Sequence, residues 1–256
     1  MDFIFDPDTA DTDIFHAGPC GTFQRVAPIG SLKFAAPASF PLIPRAEWPD
    51  RIADMKREKS RLSDIIADAG IPCLNQEQTK YCHGNSPALA IMALRAVQNQ
   101  PFVLLSPASI AGPVTGFRNE GAFIAEDLQQ IVDVGCASQE YVPANQIGRS
   151  GFRDGWEQDA AKHRVSEWWD LQRGDHLMFD RCMTLLLSRQ PICVAYDFWG
   201  HAVTLVDPEQ LDNGYFAVRF RNSWGEGWGE NGYALLQEGK GTPSEAYCPR
   251  STTVSA

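Results

Sequence analysis

The chain has no run of 18 apolar residues, so no membrane-spanning helix is expected, since one needs about 20. It is short of basic residues, with 22 Lys and Arg against 32 Asp and Glu and a net charge of -10. A nucleic-acid backbone is bound by excess positive charge, so nucleic acid is not an expected partner. The first residues, Met1-Asp2-Phe3-Ile4-Phe5-Asp6, hold neither a basic region nor a long apolar stretch. No secretory signal is expected, and the cytoplasm is the expected compartment. The seven cysteines form no CxxC pair and no zinc-type spacing, so neither a metal site nor a disulfide framework is expected. They read as reduced, buried small hydrophobes, with room for one reactive thiol. Internal repeats and low-complexity segments are also absent.

What is present is ordinary globular composition: 256 residues, 44% hydrophobic and 21% charged. That fits one large domain or two lobes sharing a cleft. Residues 1–45 differ from the rest. Asp2, Asp6, Asp8, Asp11 and Asp13 make the start acidic, and Pro19, Pro28, Pro37, Pro41 and Pro44 break regular structure. The apolar residues Phe3, Phe5, Phe15, Phe23, Phe34 and Phe40 indicate an extended arm lying on a surface. That surface is its own domain, a partner or the cleft. From Ile52 to Ala69, apolar residues recur at helical spacing among charges, predicting one amphipathic helix stopped by Gly70.

A polar loop, Asn75-Gln76-Glu77-Gln78-Thr79-Lys80-Tyr81, then runs into Cys82-His83-Gly84-Asn85-Ser86-Pro87 and a small-apolar helix continuing to Val97. Pro87 is tolerated because it falls in the first turn. Further on, Asn119-Glu120-Gly121 precedes a helix from Ala122 to Val134. Residues 146–165 read as a polar connection, Val165–Leu171 as a strand and Asp175–Ser188 as an amphipathic helix. Strands follow at Pro191–Tyr196 and His201–Val206. The most particular stretch is Asn222-Ser223-Trp224-Gly225-Glu226-Gly227-Trp228-Gly229-Glu230-Asn231-Gly232-Tyr233, set between two strand patterns. Its glycines permit turns that larger residues resist.

This stretch resembles the Asn-Ser-Trp-Gly signature of the papain family of cysteine peptidases. Gln76, six residues before Cys82, has the spacing of that family's Gln and nucleophile, and Ser86 matches the Ser four residues on. His201-Ala202-Val203 precedes Asn222 by 21 residues, as its catalytic His does. The resemblance covers roughly residues 70–240. It implies an α+β, papain-like two-lobed fold, with a helical lobe (about 70–145) and an antiparallel β-barrel-like lobe (about 146–256) facing each other across the cleft. The catalytic domain would be 46–256.

The resemblance also implies roles. Cys82 is the nucleophile, His201 the acid and base, and Asn222 the residue that orients His201. Gln76 donates to the oxyanion, and Trp224 shields the His201–Asn222 bond. Gly121, Ala202 and Trp228 bind substrate, with Ala202 lining room for an apolar side chain two residues before the cleaved bond. The chemistry agrees: a thiol attacks as thiolate, and a helix N-terminus and an imidazolium both favour that form. No cofactor is implied, and the partner is a peptide or protein substrate.

His83 occupies a position where the family usually has Trp. Adjacent helical residues point about 100° apart, so His83 does not replace His201 as base. Thr79 stands where the family carries a disulfide cysteine. The remaining histidines (His16, His163, His176) and the six other cysteines read as structural or solvated. Two other functions use the same scaffold: a catalytically silent peptide-binding or assembly protein held by the arm, and a thiol acyltransferase.

Overall fold

The computed structural model describes residues 2–8, 18, 20, 36–37, 39–171 and 176–252, with residues 36 and 37 described by their backbone. Phe15, His16, Phe23, Phe34 and Asp175 lie outside the described residues.

The element that organises the chain is a helix over Cys82–Val97 (α3), every residue of which from Cys82 to Arg95 is buried. Ala88 to Leu94 is almost wholly small and apolar. A helix apolar on all sides has to sit between other elements. It follows Trp48–Glu58 (α1) and Leu62–Asp68 (α2) and precedes Pro107–Val114 (α4), Ile124–Asp133 (α5), Trp156–Ala160 (α6) and Met178–Leu187 (α7). Among the described residues, no helix is long and apolar enough to cross a membrane.

The single amphipathic helix expected over 52–69 is instead two, α1 and α2. Lys59 takes a left-handed backbone (φ 51°) and ends α1. Arg61 then opens α2, with Asp64 accepting its backbone N–H. The apolar spacing continues through Lys59, so periodicity alone does not reveal the break.

The strands are β1 (Ala36–Pro37), β2 (Val165–Asp170), β3 (Ile192–Tyr196), β4 (His201–Gln210), β5 (Phe216–Arg221), β6 (Tyr233–Gln237) and β7 (Glu245–Thr252). They form one sheet in the order β1-β2-β7-β3-β4-β5-β6. All pairs are antiparallel except β1 with β2. The sheet is open, which corrects the barrel-like lobe expected from the sequence. Its edges are covered without closure: Phe5 N–H donates to the Leu235 carbonyl at 2.8 Å and Leu235 N–H to that of Phe3 at 2.8 Å, laying residues 3–5 along β6. At the other edge β1, also from the first 45 residues, pairs with β2.

One buried apolar cluster joins α3 to the sheet through residues such as Leu89, Ile91, Val194, Val203 and Phe220. A smaller one, around Tyr81, Ala108, Ala111, Val142 and Ala160, lies among the helices. Ser86 Oγ donates to the Val203 carbonyl at 2.8 Å, and Thr204 Oγ1 donates to the Ser86 carbonyl at 3.0 Å. These two bonds hold the first turns of α3 against the start of β4.

The glycine rhythm between β5 and β6 has a steric reason. At Gly229, φ is +57° and an added Cβ would lie 2.4 Å from the Tyr233 carbonyl oxygen. Both the left-handed backbone and the clash oppose a side chain. Gly229→Ala is therefore expected to lower unfolding free energy by about 2 kcal/mol. Urea denaturation checks this, and an unchanged midpoint would refute it.

Candidate active site

Two strand-turn segments build the polar half of the site. Asn222 and Ser223 follow β5 directly. The loop before α3 runs beside them: Gln76 N–H donates to the Ser223 carbonyl at 2.8 Å, and Gly225 N–H donates to that of Leu74 at 3.0 Å. This short ladder carries Gln76 and Asn222 on one support, although 146 positions separate them in the chain. Gln76 is fully buried. Its Oε1 accepts from Ser223 Oγ at 2.6 Å and its Nε2 donates to the Thr79 carbonyl at 2.8 Å. An amide nitrogen carries two N–H groups, so one is committed to holding the loop.

His201 opens β4 and is 0% exposed. Its Nε2 lies 2.7 Å from Asn222 Oδ1. The same Oδ1 accepts the Ser223 N–H at 2.7 Å, which identifies it as the oxygen of the amide. An oxygen only accepts, so Nε2 carries the proton, and a neutral ring then has its lone pair on Nδ1. Nδ1 is buried without a hydrogen-bond partner. An orphaned buried nitrogen is costly unless it is used. The Trp224 ring lies over His201, with centroids 4.5 Å apart. Trp199 packs against it at 4.6 Å. Burial, only partly opposed by the Asn222 bond, holds the His201 pKa down at about 4.

Cys82 is the first residue of α3 and fully buried. Tyr81 before it makes no side-chain cap, so Cys82 stands at a helix end that keeps its partial positive charge. Burial raises the pKa of all six other cysteines. It pushes Cys136, Cys182 and Cys193 up to about 12, the behaviour of inert structural thiols.

The arm reaches this site. Gly18 packs so closely on the Trp224 indole that an added Cβ would fall 2.4 Å from Nε1, and Cys20 lies beside Gly200, next to His201. Phe5 stacks on Trp199 with centroids 4.8 Å apart. Phe3 and Phe5 also meet Trp228. Trp228, expected to bind substrate, is therefore 6% exposed and covered by the chain's own N-terminal residues. Ala202 is buried too. The cavity it lines with Leu74, Ser86 and Asn222 measures about 10 Å³, about the space of one water and not of an apolar side chain. Gly121 stays half-buried.

His83 is placed as helical geometry requires, away from the base role. Its Nδ1 meets Asp127 Oδ2 at 2.7 Å and its Nε2 the Glu120 carbonyl at 3.3 Å. Asp127, Trp199 and the bracing Ser223 belong to no spacing that marks them as site residues in the sequence. Trp199, two residues before His201, comes closest to a local signal. Ser223→Ala is expected to lower kcat about tenfold with KM unchanged, because Gln76 then loses its brace. Steady-state peptide hydrolysis measures both, and an unaltered kcat would refute the bracing.

The family model for papain family cysteine proteases matches residues 182–255. Cysteine proteinase 3 of Dictyostelium discoideum is 24% identical over 198 residues, 68% of this chain and 57% of that protein. The chain thus spans little more than half the length of that curated relative. The structure of digestive procathepsin L 3 from Tenebrio molitor larval midgut matches with a TM-score of 0.64 at 19% identity, covering 93% of this chain and 77% of that one. Xylellain, a cysteine protease from Xylella fastidiosa, matches with a TM-score of 0.60 at 17% identity, covering 93% and 97%. In its C-terminal residues 182–255 the chain is similar to the papain family of cysteine proteases, and its fold is papain-like.

Proposed function

We propose that the chain is a cysteine endopeptidase that hydrolyses peptide or protein substrates through a Cys82 thioester. The observation that carries this reading is His201. Its Nε2 is fixed by Asn222 while its Nδ1 lone pair is buried and unpartnered. That arrangement suits a base that receives the thiol proton. The Cys82 thiolate attacks the scissile carbonyl, and the Gln76 side-chain amide together with the Cys82 backbone N–H stabilises the oxyanion. His201 gives its proton to the leaving amine. It then takes one from water, which attacks the thioester and releases the acid and the free thiol. Gly121 pairs with the substrate backbone.

The conformation described is a closed form of this enzyme. Cys82, His201 and Asn222 are all buried, and Gly18 and Cys20 of the arm lie on Trp224 and beside Gly200. Self-docking of residues 1–45 is thus the reading we favour over docking on a partner. The compartment we propose is the cytoplasm, supported by Thr79 in place of the family's disulfide cysteine.

Labelling with an epoxysuccinyl thiol inhibitor, followed by peptide mapping, tests the reading. Modification at Cys82 alone, lost in His201→Ala and faster without residues 1–45, is expected. No labelling in either chain would favour a silent binding scaffold. Ligated peptide products in place of hydrolysed ones would favour acyl transfer.

A further inference from the structure

The buried pair His83–Asp127 has no part in the chemistry above. Both side chains are 0% exposed. His83 follows the nucleophile in α3, and Asp127 lies on α5. The other contact of His83 is the carbonyl of Glu120, one residue before Gly121. Around it the 118–121 loop is strapped to the 78–83 segment. Lys80 N–H donates to Asn119 Oδ1 at 2.7 Å, Asn119 Nδ2 to the Gln78 carbonyl at 3.2 Å and Tyr81 OH to that of Arg118 at 3.0 Å. Among the described residues, the His83 bond is the one that reaches the peptide unit containing the Gly121 N–H. That unit is planar and trans, so its N–H points opposite to its C=O. Whatever holds the Glu120 carbonyl aims the Gly121 donor.

We propose that His83 is a positioning residue. Held between Asp127 and the Glu120 carbonyl, it orients the Gly121 backbone for the substrate main chain and makes that orientation depend on pH. The inference rests on the peptidase reading above for what Gly121 binds. Its physical core is that both partners of the ring are acceptors. Only an imidazolium donates to a carboxylate and a carbonyl at once. The groups facing the pair are Glu126 on α5, the Glu120 backbone carbonyl, Cys193 on β3 and the Tyr81 ring at 5.8 Å. Burial disfavours the cation, but the Asp127 charge and hydrogen bond outweigh it, and the His83 pKa is raised. Both bonds are therefore kept through and below the ordinary histidine range, and one of them is lost as pH rises through the raised value. Above it the single remaining N–H stays with Asp127, and the Glu120 carbonyl is released.

Nitrogen NMR of the full chain tests this. The Gly121 amide and the His83 ring nitrogens are followed from pH 5 to 9. The expected result is one shared midpoint above the ordinary histidine value. In Asp127→Asn, an amide oxygen takes the Nδ1 proton without holding a charge, and the midpoint should fall. In His83→Gln, the Gly121 signal should lose its pH dependence. A second readout compares the alkylation of Cys82 by iodoacetamide with that by a dipeptidyl epoxysuccinate, which engages the substrate backbone site. In Asp127→Asn the ratio of peptidyl to iodoacetamide rates should fall about tenfold, the scale of one hydrogen bond, with the iodoacetamide rate unchanged. A Gly121 signal indifferent to His83 titration overturns the proposal, as does equal slowing of both reagents. If iodoacetamide fails to modify native Cys82, the peptidase reading falls, and the Gly121 titration still decides the positioning role.

Discussion

On the proposed mechanism, Cys82→Ala is expected to abolish peptide hydrolysis, lowering kcat/KM by about four orders of magnitude or more with the fold intact. The size follows from the mechanism. Without the thiolate no thioester forms, and what remains is the oxyanion donors acting on a water attack. Alanine is the best helix former and suits the first turn of α3. Thermal unfolding should therefore move little while turnover disappears. The measurement is peptide hydrolysis by the variant beside native chain at matched concentration. Turnover surviving in Cys82→Ala would remove Cys82 from the mechanism. Equal inactivity of both chains, with and without the arm, would favour the silent scaffold.

Acid weakens the closed form through His201, by about 3 kcal/mol between pH 7 and pH 4. The sign follows from proton counting. Burial depresses the His201 pKa to about 4, whereas an unfolded or exposed histidine titrates near 6.5. Between these values the open state binds a proton that the closed state refuses, so stability present at neutral pH is lost as pH falls. Asp207 acts in the opposite direction: burial raises its pKa to about 6, so its contribution improves over part of the same range. Total stability therefore mixes the two. The clean quantity is the difference between native chain and His201→Gln, in which the Asp207 contribution cancels. Denaturant melts at pH 7 and pH 4.5 supply it. A constant difference across that range would show that His201 is not held neutral. If acid also speeds Cys82 labelling, His201 protonation is coupled to release of the arm, since exposing the ring restores its ordinary basicity.

Much of the site can be read from the chain alone because its chemistry follows short, rigid spacings. Gln76 to Cys82 spans one loop and a helix start. Asn222 directly follows the strand Phe216–Arg221, and Ala88 to Leu94 can only be a buried helix. Gly229 had to be small because the turn it occupies forbids a Cβ. These are local rules of backbone geometry and periodicity, which nearby residues carry in full.

Tertiary structure alone decided the rest. Phe5 stacks on Trp199 and Phe3 pairs with Leu235 across more than 190 positions, so no window of sequence relates them. N-terminal residues lie along both edges of the sheet, and strand patterns do not state whether an edge is covered. His83 looked like a neighbour of Cys82 without a task until α5 brought Asp127 to it. Trp228 lost its expected exposure once Phe3 and Phe5 packed on it, and Ala202 its expected space once Leu74, Ser86 and Asn222 closed around it. Local sequence determines which side chains share a helix or strand. Which distant groups meet, and so which charges are paired and which catalytic atoms are covered, is set by the packing of elements against one another.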